Sequence, residues 1–419
     1  LNILFVHQNF PAQFVHIAPA LAARGHKVLA LTASTNKRKF GVSAAHYPWD
    51  NREFDPKVFE LSTTHAQMMH RAGVVARSGL AITQKTGFKP DVILSHLGWG
   101  EPILLKEVWP DAHLKLYAEF FYRPKGLDTD FDPEFGKSGF EARARIVSRQ
   151  PYLLQSYYTA DSMLAPTQWQ ASFLPEFARA KTTVIHDGID TAVIGPGHGG
   201  TTVTLPGTTR SFRQGDELLT FVNRNLEPYR GYHIFMRALA KVLRERPAAQ
   251  VVIIGDEAKG YGAGPPPGTT WKQKFLDEVR DRLDLSRVHF VGHVPHAVLT
   301  DLMRVTRVHA YLTYPFVLSW SMLEAMAAEA LVVGSRTPPV TEFIEDGVNG
   351  RLVDFFDVEG WSNTLIDCLA RPDAFTGMRR TARQTVIARC DLKTRCLPDM
   401  IANVEAAASR PLDKLGTFA

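Results

Sequence analysis

Short apolar segments alternate with helix-length amphipathic ones along almost all of this 419-residue chain, in two successive runs. A parallel strand can be followed by another only after a crossover long enough to hold a helix, so this alternation predicts parallel sheets covered on both faces. In the first run the strands fall at 2–7, 27–32, 91–95, 114–119, 162–166 and 182–186. Between the first two, AQFVHIAPALAARG has apolar spacing near four and a stop at Gly25. The second run reads LLTFVN, AQVVIIG, VHFVG, VHAYLT, LVVGS and GRLVDF, and after Asp357 the chain is helical to residue 409. Between the runs, GPGHGGTTVTLPGTTRSFRQGD is rich in Gly, Thr and Pro and lacks periodicity, as a linker does. The expected division is one doubly wound domain over 1–190, a linker over 191–216, a second domain over 217–390, and a helical segment over 391–419 packing back towards the first. Open α/β sheets bind ligands beyond the carboxyl ends of their strands, which predicts a central cleft between two such domains.

The chain exceeds one ordinary core but is otherwise unexceptional, with 45% hydrophobic and 22% charged residues. A net charge of +5 carries no basic block longer than Lys37-Arg38-Lys39, which reads as a solvated loop and gives no ground for a nucleic-acid partner. Cys368, Cys390 and Cys396 lack metal-ligand spacing and fit a reducing compartment. No apolar run approaches the ~20 residues that span a bilayer. The opening NILFVH reads as a strand and not as a signal peptide. These features predict a cytoplasmic protein.

Two stretches of the second run could carry chemistry. VNRNLEPYRGYHIFMRAL leaves a strand and enters a helix, with Arg224 and Arg230 on the turn. Free N–H groups at a helix start beside two guanidiniums suit a diphosphate, although two surface arginines in a turn would look the same. FVLSWSMLEAMA repeats the arrangement: the loop 317–321 exposes backbone N–H groups and Glu324 is expected in the first helical turn. There it can accept hydrogen bonds from a ribose diol or simply balance the helix dipole.

Taken in order, VNRNLEPYRGYHIF, VIIGDEAKGYG, RVHFVGHVPHAVLTDLM, VHAYLTYPFVLSWSMLEAMAAEALVVGS and PPVTEFIEDGVNGRLVDF resemble the retaining glycosyltransferases of family 4 (glycosyl transferases group 1). VIHDGIDTAVIGP resembles their interdomain entry, and ALAARGHKVLALTA and PDVILSHLGWGE match less tightly. The resemblance implies a GT-B fold of two Rossmann-like domains, an acceptor-side N-terminal one and a donor-binding C-terminal one. It implies no metal or other cofactor, a nucleoside-diphosphate sugar as donor (UDP before GDP), and a glycan, lipid-linked or small-molecule acceptor, as in polysaccharide biosynthesis. It also implies work at the inner face of the cytoplasmic membrane with at most weak peripheral contact.

Carried over by motif position, Arg224 and Arg230 neutralise the diphosphate. The family usually has a lysine five residues after the arginine, whereas Arg230 comes six after Arg224. The backbone around His293 and Val294 faces the nucleobase, Glu324 holds the ribose, and Val317, Leu318, Ser319, Trp320 and Ser321 surround sugar and phosphate. The family has a second glutamate eight residues before Glu324; here Phe316 stands there, so the expectation is altered sugar contacts through the N–H groups of 317–320 and the serine hydroxyls. Two alternatives stand beside transfer: a silent nucleotide-sugar binding protein, which that change motivates, and a GT-B nucleotide-sugar epimerase, which would bind the same donor without an acceptor. His96, just past a strand in PDVILSHLGWGE, corresponds to a histidine near the reacting sugar carbon. It is not assigned as an obligatory base, because in this fold the leaving diphosphate is thought to take the acceptor proton. Gln13 (in NFPAQF, where Pro11-Ala12 replaces a glycine-rich turn), Glu119 and Tyr122 are acceptor-side candidates. Asp128, Asp130 and Asp132 lack the glycine and distal glutamate of a calcium loop. Asp256 and Tyr261, beside the loop 260–268, could form a turn or a lid over the nucleotide.

Overall fold

The computed structural model describes residues 1–49, 60–136, 139–258 and 260–409, so the end of the expected 391–419 segment lies outside it. The chain divides into two compact units, one of Leu1–Gly126, Lys137–Gly188 and Lys393–Ala419, the other of Leu127–Gly136 and Ile189–Leu392.

Unit 1 is built on seven strands: β1 (Asn2–Val6), β2 (Lys27–Ala33), β3 (Ser43–Tyr47), β4 (Val92–His96), β5 (His113–Tyr117), β6 (Ser162–Ala165) and β7 (Thr182–Val184). They form one sheet in the order β3-β2-β1-β4-β5-β6-β7, and every pair is parallel. The central strands are buried on both faces, as a helix-covered parallel sheet requires. Ile3, Phe5, Phe14, Leu21 and Leu94 pack with Met400 and Val404 of the helix Leu397–Ala407. Sequence patterning missed two elements. β3 is largely half-exposed or exposed, and the helix Thr63–Thr86 buries Arg71, Ala72, Val75 and Gly79, a face too small and mixed to register as an apolar stripe. Gly79 is needed there, since a Cβ would lie 2.6 Å from the Trp109 ring.

The span expected as an aperiodic linker carries a hairpin, β8 (Thr202–Thr204) with β9 (Ser211–Arg213), antiparallel. Val203, Leu205 and Phe212 from it enter the unit 2 core. Two three-residue strands are too short for alternation to be read from sequence.

Unit 2 has six strands: β10 (Leu218–Asn225), β11 (Gln250–Asp256), β12 (Val288–Gly292), β13 (Val308–Tyr311), β14 (Leu331–Ser335) and β15 (Arg351–Val353). Their order is β12-β11-β10-β13-β14-β15, again all parallel. The segment Leu127–Gly136, expected within the first domain, belongs here. Asp128 accepts from the Tyr229 hydroxyl and Asp132 from the Tyr314 hydroxyl. Asp132 also lies 3.2 Å from His233 Nε2, both side chains being buried. Arg237 grips Glu134 through two hydrogen bonds of 2.7 and 2.9 Å. Phe131 packs among Tyr314, Phe355 and Phe356. The two aspartates are thus engaged with tyrosines, and no group of three potential metal ligands occurs among the described residues.

Each sheet changes winding direction once, between β1 and β4 in unit 1 and between β10 and β13 in unit 2. The connections leaving those paired strands diverge and open a crevice at their carboxyl ends. Ten of the fourteen predicted site residues lie at the ends of these four strands or after them; His293 and Val294 follow β12, and Glu119 and Tyr122 follow β5.

Candidate active site

In unit 2 the switch point is framed by the turn after β10 and the loop after β13. Arg224 lies at the end of β10 and not beyond it; its side chain is exposed and makes no hydrogen bond or ion pair with any described residue. Arg230, expected on an open turn, is buried. Its Nη1 donates to Thr313 Oγ1 and to the Val317 carbonyl, both at 2.8 Å, so it clasps the β13 loop. Nε and Nη2 make no hydrogen bond, which leaves one edge of the fork for an anion. One residue that patterning missed stands between the arginines. Glu227 is buried, with its carboxyl pushed above the usual range by burial, and its Oε2 accepts from the Tyr261 and Gly262 N–H groups at 2.8 and 3.3 Å.

The loop after β13 answers the question raised by Phe316. Its ring is 3% exposed. Tyr229 meets it edge-on at 5.3 Å, Tyr261 lies at 4.8 Å, and the Arg230 guanidinium at 5.5 Å from its centroid. A carboxylate has been exchanged for core, not for an exposed apolar wall. The expectation that N–H groups of 317–320 all remain open needs correction: Ser319 N–H donates to the Tyr311 hydroxyl at 2.7 Å, while those of Val317 and Leu318 donate to no described group. Nor are both serine hydroxyls free, since Ser319 Oγ caps the helix Trp320–Ala327 and lies 3.0 Å from Ser321 Oγ. The Trp320 side chain is exposed.

Glu324 is the fifth residue of that helix and not in its first turn, so neutralising the dipole does not explain it. It is 7% exposed, and its Oε1 lies 2.7 Å from His296 Nε2. The hydrogen bond to Glu324 raises the His296 pKa. Of the pair in GHVPH, Val294 is buried and His293 exposed, but it is His296 that reaches the acid, a through-space contact that spacing cannot signal.

In unit 1 the switch point gathers His7, Gln13, His96 and Glu119. The Asn9 N–H donates to His7 Nδ1 at 2.9 Å, which leaves the His7 proton on Nε2, facing Gln13 Oε1 at 3.1 Å. Gln13 Nε2 then donates to Glu119 Oε1 at 3.1 Å. On the other side, the Gly98 N–H donates to His96 Nδ1 at 3.0 Å, so His96 presents Nε2–H, 3.4 Å from Glu119 Oε2. Both tautomers are therefore set by the main chain. Burial, and then the neighbouring His96, hold His7 well below its usual pKa. Glu119, about one-third exposed, is the carboxylate of this group. Tyr122 joins a different cluster, its ring edge-on to Phe120, which also packs against Trp169 and Phe173. Ala12 does take the left-handed conformation, at φ 42°, where a glycine would be at ease.

Two family models cover most of the chain: Glycosyl transferase family 4 group over residues 24–194 and Glycosyl transferases group 1 over residues 209–385. The glycogen synthase of Mycobacterium tuberculosis is 26% identical over 98% of this chain and 95% of its own length. The D-inositol 3-phosphate glycosyltransferase of Segniliparus rotundus is 26% identical over 53% of this chain and 47% of its own. Among solved structures, sucrose-phosphate synthase of Thermosynechococcus elongatus superposes with a TM-score of 0.71 at 16% identity, covering 98% of this chain and 100% of the other. Anabaena HepE, in complex with UDP-glucose, gives 0.64 at 17% identity, covering 97% and 99%. At such identities the structural likeness concerns the fold, which both neighbours share with this chain.

Proposed function

The chain belongs to the family 4, group 1 glycosyltransferases, with their GT-B fold, and on that premise we propose that it transfers a sugar with retention from a nucleoside diphosphate, UDP before GDP, to a glycan, lipid-linked or small-molecule hydroxyl. One observation carries the reading. At the unit 2 switch point a partnerless exposed arginine, the open edge of a second, two unpaired N–H groups and an acid all lie at or after the carboxyl ends of β10 and β13. Arg224, Arg230 and the Val317 and Leu318 amides meet the diphosphate charge, so no divalent ion is assigned to it. Glu324 takes the ribose diol through Oε2, or through both oxygens once His296 releases Oε1.

In the transfer, the bond from the anomeric carbon to the diphosphate breaks and one to the acceptor oxygen forms on the same face. The acceptor proton passes to the departing diphosphate. In unit 1, His96 donates through Nε2–H, while Glu119 accepts from a sugar or acceptor hydroxyl. Gln13 and His7 hold that carboxylate in place. The full-length likeness to a glycogen synthase and the UDP-glucose complex of HepE support a nucleotide-sugar donor. The silent-binder alternative rests on the acid missing at Phe316, and it predicts nucleotide binding without product.

The test is calorimetric titration with UDP and with GDP in the absence of metal, followed by turnover of single variants. One nucleotide is expected to bind. Arg224→Ala and His96→Ala are each expected to lower kcat/KM by about 100-fold or more, the usual cost of a lost transition-state hydrogen-bond donor. Binding of neither nucleotide, or unchanged turnover in both variants, would refute the proposal.

A further inference from the structure

Phe316 leaves the sugar side of the donor site without its acid, yet the surface above it is not featureless. What covers it is Tyr261, whose side chain is 47% exposed. Its ring lies 4.8 Å from Phe316 and 5.4 Å from the Arg230 guanidinium carbon. An exposed aromatic on a free loop would mean little. This one is built in. Glu227, in the turn that carries Arg230, accepts from both the Tyr261 and Gly262 N–H groups. The flanking glycines are required by this contact: a Cβ at Gly260 would sit 2.0 Å from Glu227 Oε2, and one at Gly262 2.8 Å from the Tyr229 ring. Further along, Trp271 Nε1 donates to the Ala263 carbonyl at 3.1 Å. Gly260-Tyr261-Gly262 is therefore pressed onto the turn Glu227–Arg230, and Tyr261 is held with one side towards Phe316 and Arg230 and much of its ring uncovered.

We propose that Tyr261 is the donor-sugar platform of this enzyme, stacking on the C–H face of the transferred pyranose and taking over the positioning that a carboxylate supplies elsewhere. The inference rests on the diphosphate binding at Arg230 proposed above. A sugar linked to a diphosphate at that guanidinium is within reach of a ring 5.4 Å away. Aromatic rings contact sugars through C–H groups, whereas a carboxylate selects them by accepting from hydroxyls. The site therefore selects a pyranose by its apolar face and is tolerant of changes in hydroxyl pattern on that side. Glu227 acts through the loop, as a positioning residue.

The test compares the free nucleotide with its glucose conjugate, UDP against UDP-glucose, and GDP against GDP-glucose if GDP is the nucleotide bound. Wild-type protein, Tyr261→Phe and Tyr261→Ala are titrated calorimetrically. The expected result is unchanged affinity for the free nucleotide in all three, and a loss of about 10-fold for the sugar conjugate in Tyr261→Ala alone. Tyr261→Phe keeps the ring and retains the affinity. Parallel losses for nucleotide and conjugate would make Tyr261 a nucleotide contact and overturn the proposal, as would no loss for either. A wild-type protein that binds neither UDP nor GDP would instead refute the functional reading beneath it.

Discussion

Glu324 and His296 illustrate how one contact can change what a residue is available to do. The acid that the family resemblance assigns to the ribose is already engaged, at 2.7 Å, by an imidazole whose side chain is 62% exposed. The pair is strongest while His296 is protonated. Because Glu324 raises the folded-state pKa, the pair's small contribution to stability is complete below the ordinary value of 6.5 and is lost as pH rises through the raised value. Solvent screens so exposed a pair, so its effect belongs in binding more than in stability. A ribose diol must compete with His296 for Oε1, and that competition eases as the imidazole discharges. Nucleotide affinity is therefore expected to rise from about pH 6 to 8 relative to His296→Ala. The comparison with the variant is essential, since the terminal phosphate of a nucleoside diphosphate titrates in the same range. An identical pH profile in the two proteins would mean that His296 and nucleotide do not compete. The sequence offered both histidines of GHVPH, and nothing in their spacing distinguishes the one that reaches Glu324 from the exposed His293.

The strand–turn–helix elements were legible because their signals are local. Apolar runs and turn residues placed most strands to within one or two residues, and Arg224 and His96 were singled out because they stand at strand ends. What escaped was set by distant neighbours: Phe316 could be assigned to the core only once Tyr229, Tyr261 and Arg230 were seen around it. The turn after β1 is a case where local reasoning identified the tension but not its resolution. Alanine disfavours positive φ, yet Ala12 sits at 42° and delivers Gln13 to both His7 and Glu119. Left-handed backbone at a residue with a Cβ costs about 1–2 kcal/mol. Glycine would relieve that strain at the expense of a more flexible unfolded chain. Ala12→Gly is expected to stabilise the protein by up to about 1 kcal/mol, measured by urea denaturation. A loss of stability would mean that the alanine methyl packs well enough to outweigh its backbone strain. If the turn serves mainly to aim Gln13, kcat/KM should change no more than severalfold, since glycine reaches the same conformation.

The two units do not follow the chain in simple succession, and here sequence patterning had least to offer. Counting strands ends the first domain near residue 190 and starts the second at 217, whereas unit 2 resumes at Ile189 and includes the span expected as a linker. Leu127–Gly136, however, leaves the first run of elements and completes the core of the second unit, although it contains no strand or helix whose periodicity could be read. Its anchors are long-range. Asp132, buried, serves the Tyr314 hydroxyl and His233 at once, and Phe131 is enclosed by rings from two other segments. Removing one partner from a buried charge-assisted network costs about 2–4 kcal/mol, because the groups left behind are not rehydrated. Asp132→Ala is therefore expected to lower the melting temperature by several degrees. A sharper measurement is hydrogen exchange in the unaltered protein. Amides of residues 128–135 should exchange at rates like those of β10 and β13, and more slowly than the flanking residues 120–126 and 139–147. In Asp132→Ala the protection of 128–135 should fall while that of β1 and β4 is retained, since no core residue of the first unit is touched. Exchange of 128–135 at the rate of its flanks in the unaltered protein would show that the segment is only laid on the second unit. The tyrosines at positions 229 and 314, beside the donor turn, would then owe their placement to the rest of unit 2 alone.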